Sequence, residues 1–267
     1  MKTPFEKLVD VMARLRAPGG CPWDREQDHA TLKTYLIEEA YEVIEAIDAN
    51  DPAKLEEELG DLLLQPVFHA EIARERGQFD INDVINALIE KLVRRHPHVF
   101  GDVKLGTAEQ VLTQWHKIKR GEKKAARSAI DGVPKHLPAL QKAHKLQKKA
   151  ARVGFDWKHI DEVMAKVDEE LAEVKEALLA RKKKAVHEEI GDLLFSVANL
   201  SRFLDLDPED ALRNTINKFS RRFKMIEREL GRRGKKLEES SLEEMDAIWN
   251  AAKKKPPRAG ARRRPST

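Results

Sequence analysis

The chain has 267 residues, with 50 Lys and Arg against 46 Asp and Glu, 36% charged and 41% hydrophobic residues, and one cysteine, Cys21. A single cysteine excludes a disulfide framework and, without CxxC pairs, a thiolate zinc centre; no apolar run approaches the roughly eighteen residues of a membrane span. The net charge of +4 is unevenly placed, because residues 253–267 carry seven cations and no acid, leaving a body of 43 basic and 46 acidic groups.

That Pro/Arg/Gly tail cannot bury enough apolar surface to offset its ordering entropy, so it is expected to be disordered. Met1 to Asp10 lacks the apolar core of a signal peptide, and a soluble, cytoplasmic protein is expected.

Apolar residues recur at helical spacing almost throughout and alternating β-branched runs are absent, so the chain reads as all-α. Leu36, Ala40, Val43 and Ile47 form the stripe of a first amphipathic helix. It stops at Asn50-Asp51-Pro52 and is followed by a helix carrying Leu59, Leu62 and Leu63. Gly77, His96-Pro97, Asp205 to Pro208 and Gly231 are further stops.

The chain then repeats itself. Glu38-Glu39-Ala40-Tyr41-Glu42 returns as Glu169-Glu170-Leu171-Ala172-Glu173, and Glu58-Leu59-Gly60-Asp61-Leu62-Leu63 as Glu189-Ile190-Gly191-Asp192-Leu193-Leu194, both shifted by 131. Asp80–Arg95 aligns without gaps on Asp207–Arg222, and Thr107 to Trp115 on Ser241 to Trp249. Two tandem modules explain this order, 1–120 and 138–252, with a Lys-, Gly- and Pro-rich linker at 121–137 and the tail at 253–267.

At about 100° per residue, Glu39 lies roughly 60° and Glu42 roughly 120° from Leu36, on the shoulder between core and solvent. Glu58 and Asp61 stand likewise beside Leu59, Leu62 and Leu63. If the Asp51-Pro52 turn makes the helices antiparallel, two i, i+3 pairs converge into four carboxylates. Such a cluster needs a cation or protons, and all-oxygen ligation favours Mg²⁺ or Mn²⁺. Glu-rich helices are more often solvated faces, but here both pairs recur, each second pair enclosing a glycine. Gly60 and Gly191, costly inside helices, suggest close approach of a helix or ligand. Lys218, Arg221 and Arg222, at i, i+3, i+4, are spaced to grip phosphate, unless they form a solvated basic face. Trp249 is either a platform for a base or a core anchor.

With Gly20-Cys21-Pro22-Trp23-Asp24, the Arg95-to-Gly101 segment (RHPHVFG) and Gly154-Phe155-Asp156-Trp157, this ordered set resembles the MazG family of the all-α NTP pyrophosphatase superfamily. The resemblance implies modules with four-helix-bundle-type cores. It implies Mg²⁺-dependent hydrolysis of NTPs or dNTPs to monophosphate and pyrophosphate, broad base tolerance and a homodimer. By motif position it makes Glu170, Glu173, Glu189 and Asp192 the metal ligands and catalytic centre. Lys166 and Glu169 would line the nucleotide site, Lys218, Arg221 and Arg222 would hold phosphates, and Trp249 would border the nucleotide. Glu39, Glu42, Glu58 and Asp61 would form a second site, either active or degenerate.

The C-terminal module is expected to be the competent one. Pro66 stands five residues after Asp61 where the repeat has Val197; within a helix it removes a hydrogen bond and clashes with the Leu62 carbonyl, costing about 3 kcal/mol, so a kink beside the first site is expected. Lys119 is a candidate to reach a neighbouring site across a dimer. A di-iron bundle needs Glu-x-x-His on two helices, and only Glu26-x-x-His29 qualifies. The rival reading is a regulatory or nucleic-acid-binding helical protein acting through its basic tail.

Overall fold

The computed structural model describes residues 1–122 and 128–254, so the expected tail, save its first two residues, and 123–127 of the expected linker lie outside the described residues. The chain divides into two compact units, Met1–Lys124 and Ala125–Thr267. Every regular element among the described residues is helical, with no strand among them.

The first unit contains α1 (Pro4–Arg16), α2 (Pro22–Glu26), α3 (Lys33–Ala49), α4 (Pro52–Glu75), α5 (Ile81–Arg95), α6 (Pro97–Phe100) and α7 (Ala108–Glu122). Its centre is the α3–α4 hairpin. Three consecutive residues make the reversal: Asn50 takes the left-handed conformation at φ 51°, Asp51 caps the amides of Ala53 and Lys54, and Pro52 fills the first helical position. The second half of α4 packs Val67, Phe68, Ala70 and Ile72 against Met12, Leu32 and Ile81. Each large side chain fully buried there contributes about 1.5–3 kcal/mol. The first half of α4 pairs with α3 and carries acids, so one helix serves core and site.

The second unit contains α8 (Ala139–Ala151), α9 (Ile160–Leu179), α10 (Lys183–Phe203), α11 (Pro208–Arg232), a single 3-10 turn (Leu237–Glu239) and α12 (Leu242–Lys254). Here α9 and α10 form the hairpin, with α8 against α10 and α11 against α12. Asp207 caps α11 through the amides of Glu209 and Asp210 at 2.9 and 3.0 Å. Ile226, Leu230 and Ile248 form a buried cluster against which Leu237, Met245 and Trp249 pack.

Two local expectations are corrected. Gly231 stays inside α11, and the chain turns at Gly234, whose φ of 67° needs no Cβ. α4 runs through Pro66 as one continuous helix, with the proline inside it. No helix closely approaches Gly60 or Gly191, because a Cβ built on either finds no protein atom within 4 Å. The apolar stripe of α3 is also only partly covered: Val43 is buried, whereas Leu36 and Ile47 are exposed.

Candidate functional site

In the second unit, α9 presents Glu170 and Glu173 across the hairpin to Glu189 of α10, and one oxygen from each lies within 4.8 Å of the others. The i, i+3 spacing aims both α9 acids at one side. Lys166, one turn earlier, reaches Glu169 at 2.9 Å and Glu170 at 2.8 Å. These hydrogen bonds, first to Glu170 and then to Glu169, raise the lysine's pKa and keep it charged. Glu170 is only 5% exposed, yet its Oε2 is buried without a hydrogen-bond partner. Burial first, and then the charges of Glu170, Glu189 and Glu169, push the Glu173 carboxyl above its ordinary value, against a smaller pull from Lys166. Asp192, one turn beyond Glu189, is exposed and stands outside this three-oxygen group.

The first unit assembles a different trio. Glu39 of α3 meets Glu58 and Asp61 of α4 within the same 4.8 Å, while Glu42 falls outside. Burial, followed by Asp61, Glu42 and Glu58, raises the Glu39 pKa. Glu58 is 7% exposed and has Lys54 at 3.7 Å. The four-acid clusters expected from spacing are thus trios whose memberships differ between the modules.

Both trios have the chemistry of a divalent oxygen site. In each trio the neighbouring acids raise the pKa of one carboxylate, Glu39 or Glu173, and a divalent cation would offset that repulsion. The orphaned Oε2 of Glu170 fits this reading, since a buried carboxylate oxygen without a donor calls for a cation.

The basic residues are placed less simply. Lys218 and Arg221 are exposed and, among the described residues, form no ion pair. Arg222 instead lies over the Trp249 ring at 5.4 Å, with Phe219 at 5.3 Å from the same ring. Trp249 is half-buried against the Ile226–Leu230–Ile248 cluster. It is therefore a core anchor, and it also lines an open apolar cleft of about 260 Å³ with Phe223, Leu242, Met245 and Asp246. The first unit repeats the motif, with Arg95 at 5.3 Å and Lys119 at 4.6 Å over Trp115.

Two features escape a reading of spacing alone. Glu122 binds Arg94 and Arg95, and its only signal is one acid in the Lys-rich stretch read as linker. His29 and His69 face each other with their Nδ1 atoms 2.9 Å apart, one drawn from a loop and the other from α4.

The family model described as the MazG nucleotide pyrophosphohydrolase domain matches twice, over residues 27–100 and 158–227. A Thermotoga maritima protein named nucleoside triphosphate pyrophosphohydrolase/pyrophosphatase MazG is 52% identical over 250 residues, covering 93% of this chain and 95% of that protein. The Escherichia coli K12 protein named nucleoside triphosphate pyrophosphohydrolase is 44% identical over 257 residues, covering 94% of this chain and 97% of its own.

Proposed function

Because the chain belongs to the MazG nucleotide pyrophosphohydrolase family, we propose that it hydrolyses NTPs and dNTPs to monophosphate and pyrophosphate, with Mg²⁺ as cofactor, Mn²⁺ as substitute and broad base tolerance. The observation that carries this reading is the Glu170–Glu173–Glu189 trio with its buried, unpartnered Oε2. Glu170, Glu173, Glu189 and Asp192 would hold the ion, which when bound makes a coordinated water easier to deprotonate and offsets charge growing on phosphate oxygens.

The remaining roles fall to this chain's own side chains. Hydrolysis of the α–β anhydride adds one water across the bond, so a base must take its proton. Lys166 and Glu169 flank the trio and orient the nucleotide. Lys218, Arg221 and Arg222 hold its phosphates, and Trp249 borders it. The second module does most of the work, and the first, with Glu39, Glu42, Glu58 and Asp61, mainly supports fold and assembly.

Apolar residues exposed on both hairpins, Leu36, Tyr41, Leu59 and Leu63 in one and Leu171, Ile190, Leu194 and Phe195 in the other, favour a homodimer that completes each hairpin into a bundle. A nucleotide-pool enzyme belongs in the cytoplasm. Among the described residues no helix is long and apolar enough to cross a membrane.

The test incubates purified protein with each common NTP and dNTP, with and without Mg²⁺, and separates the products. Pyrophosphate and monophosphate are expected; diphosphate with orthophosphate, or no turnover, overturns the reading. Glu173→Ala and Asp192→Ala should then stop turnover that Glu42→Ala and Asp61→Ala largely spare.

A further inference from the structure

We propose that the first module carries a second polyphosphate-binding site, built by Arg94, Arg95 and Trp115, and that Glu122 occupies it as an internal carboxylate. This rests on the reading of Arg221 and Arg222 as phosphate-holding groups, because the two modules build the same motif from aligned residues. In each, paired arginines of a long helix, the last two residues of α5 and two in the middle of α11, meet a tryptophan of a later helix. Arg222 lies over Trp249 at 5.4 Å and Arg95 over Trp115 at 5.3 Å.

They differ in one anion. Arg94 Nε donates to Glu122 Oε1 at 2.8 Å, and Arg95 Nε donates to both Glu122 oxygens at 3.2 and 3.1 Å. A terminal nitrogen of Arg95 donates to Oε2 as well. One carboxylate thus takes the donors that would otherwise face two phosphate oxygens, in the forked geometry guanidinium groups use for either anion. The Arg95 side chain is only 17% exposed, so its competitor is held close rather than loosely screened. Hydrogen bonds from Arg95 and Arg94 hold the Glu122 carboxyl down to about 2, so it stays ionised throughout the neutral range.

The second module has no such clamp in its described part. The spacing that pairs Trp115 with Trp249 pairs Lys119 with Lys253 and Glu122 with Pro256, which offers no side-chain acceptor. Arg221 forms no ion pair among the described residues, and Arg222 has only the Trp249 ring. A polyphosphate therefore finds open guanidinium donors in one module and internally neutralised ones in the other.

The test titrates the full chain calorimetrically with inorganic tripolyphosphate in the absence of divalent cations. Wild type should bind one equivalent per chain and Glu122→Gln two, the added site weakening by about tenfold or more when Arg94 and Arg95 are also changed to Gln. In an Arg221→Ala, Arg222→Ala background the counts should fall to none and one. Circular dichroism confirms that α7 is kept, and Glu122→Asp, whose shorter stem loosens the clamp without removing the charge, gives a second variant with an intermediate gain. Equal stoichiometry and affinity in wild type and a folded Glu122 variant would overturn the proposal and leave Glu122 a stitch between α5 and α7. Failure of the pyrophosphohydrolase reading shows separately, as wild type that releases no pyrophosphate.

Discussion

Lys166 Nζ stands 2.8 Å from one carboxylate oxygen of Glu170, while the other oxygen of the same carboxylate is buried with no donor. The lysine balances one side of the acid and leaves the other open to a second cation. Glu170→Gln keeps the shape but removes the charge, and turnover is expected to fall about 100-fold or more. Lys166→Met acts in two directions. Metal binding without nucleotide should tighten by up to about tenfold, a modest figure because the lysine is partly solvated, while KM for nucleotide rises. Metal titration alone and steady-state kinetics separate the two; weaker metal binding by Lys166→Met would show that the lysine organises the acids rather than competing with the ion.

Divalent cations should stabilise the protein in a pH-dependent way. Glu39 and Glu173 have pKa values raised above the ordinary 4.5 by burial and by their acidic neighbours. Between 4.5 and those raised values the folded chain binds more protons than the unfolded one, so their protonated forms contribute stability that is full below 4.5 and lost as pH rises through the folded pKa. Metal-free protein loses this contribution as pH rises from 5 to 7, while His69 and His144, held below the ordinary 6.5 by burial, act in the opposite sense. Mg²⁺ at about a hundred times its Kd adds about 2.7 kcal/mol, or several degrees. Thermal melts with EDTA and with Mg²⁺ at both pH values check this; a Mg²⁺ shift no larger at pH 7 than at pH 5 contradicts it.

The parts of this architecture legible in the sequence are those where one residue type has one local job. Asn50, Asp51 and Pro52 each fill a position with narrow stereochemical demands, so the α3–α4 turn could be read directly. The matching turn of the second module places Arg181 at φ 54°, without glycine or asparagine, and nothing in composition marks it. Carboxylate spacing showed which residues share a helix face, but not that Asp61 joins its trio while Asp192 stays outside. That choice depends on side-chain torsions and on the hairpin's packing. The role of Glu122 was hidden because charge composition assigned its neighbourhood to a linker, whereas its partners lie 27 and 28 residues away.

Arg16 should be the costliest single charge to remove from the first unit. Its side chain is 6% exposed, and its guanidinium forms two 2.8 Å hydrogen bonds to Glu75, donates to the carbonyls of Asp24 and Gln27, and lies over Phe68. Arg16→Met strands two carbonyls and a carboxylate, and a loss of about 2–4 kcal/mol is expected. Glu75→Gln leaves the carbonyl bonds intact and should cost about 1 kcal/mol. The Arg16 hydrogen bond holds the Glu75 pKa below its ordinary 4.5, so this contribution is present above 4.5 and lost as pH falls through the lower folded value. Urea titrations of wild type and both variants at pH 7 and pH 3 test the order; equal costs for the two variants would place the energy in the ion pair alone.

Pro66 separates the acidic first half of α4 from its buried second half, and the helix passes through it without ending. The missing amide leaves the Leu62 carbonyl without its helical donor, and the ring crowds that carbonyl. The repeat carries Val197 at this place, so Pro66→Val asks what the proline does with little change in volume. The first unit should gain about 1–2 kcal/mol, less than the full ~3 kcal/mol of an interior proline, because the unfolded chain also regains freedom. Turnover should not change. Glu39, Glu58 and Asp61 already lie together with the proline in place, and Glu122 still holds Arg94 and Arg95. Denaturant unfolding measures the first effect. Pyrophosphate release in a Glu170→Gln background, where the second module is silenced, isolates the second: activity restored there by Pro66→Val would make the proline, and not the glutamate clamp, the lesion that silences the first module.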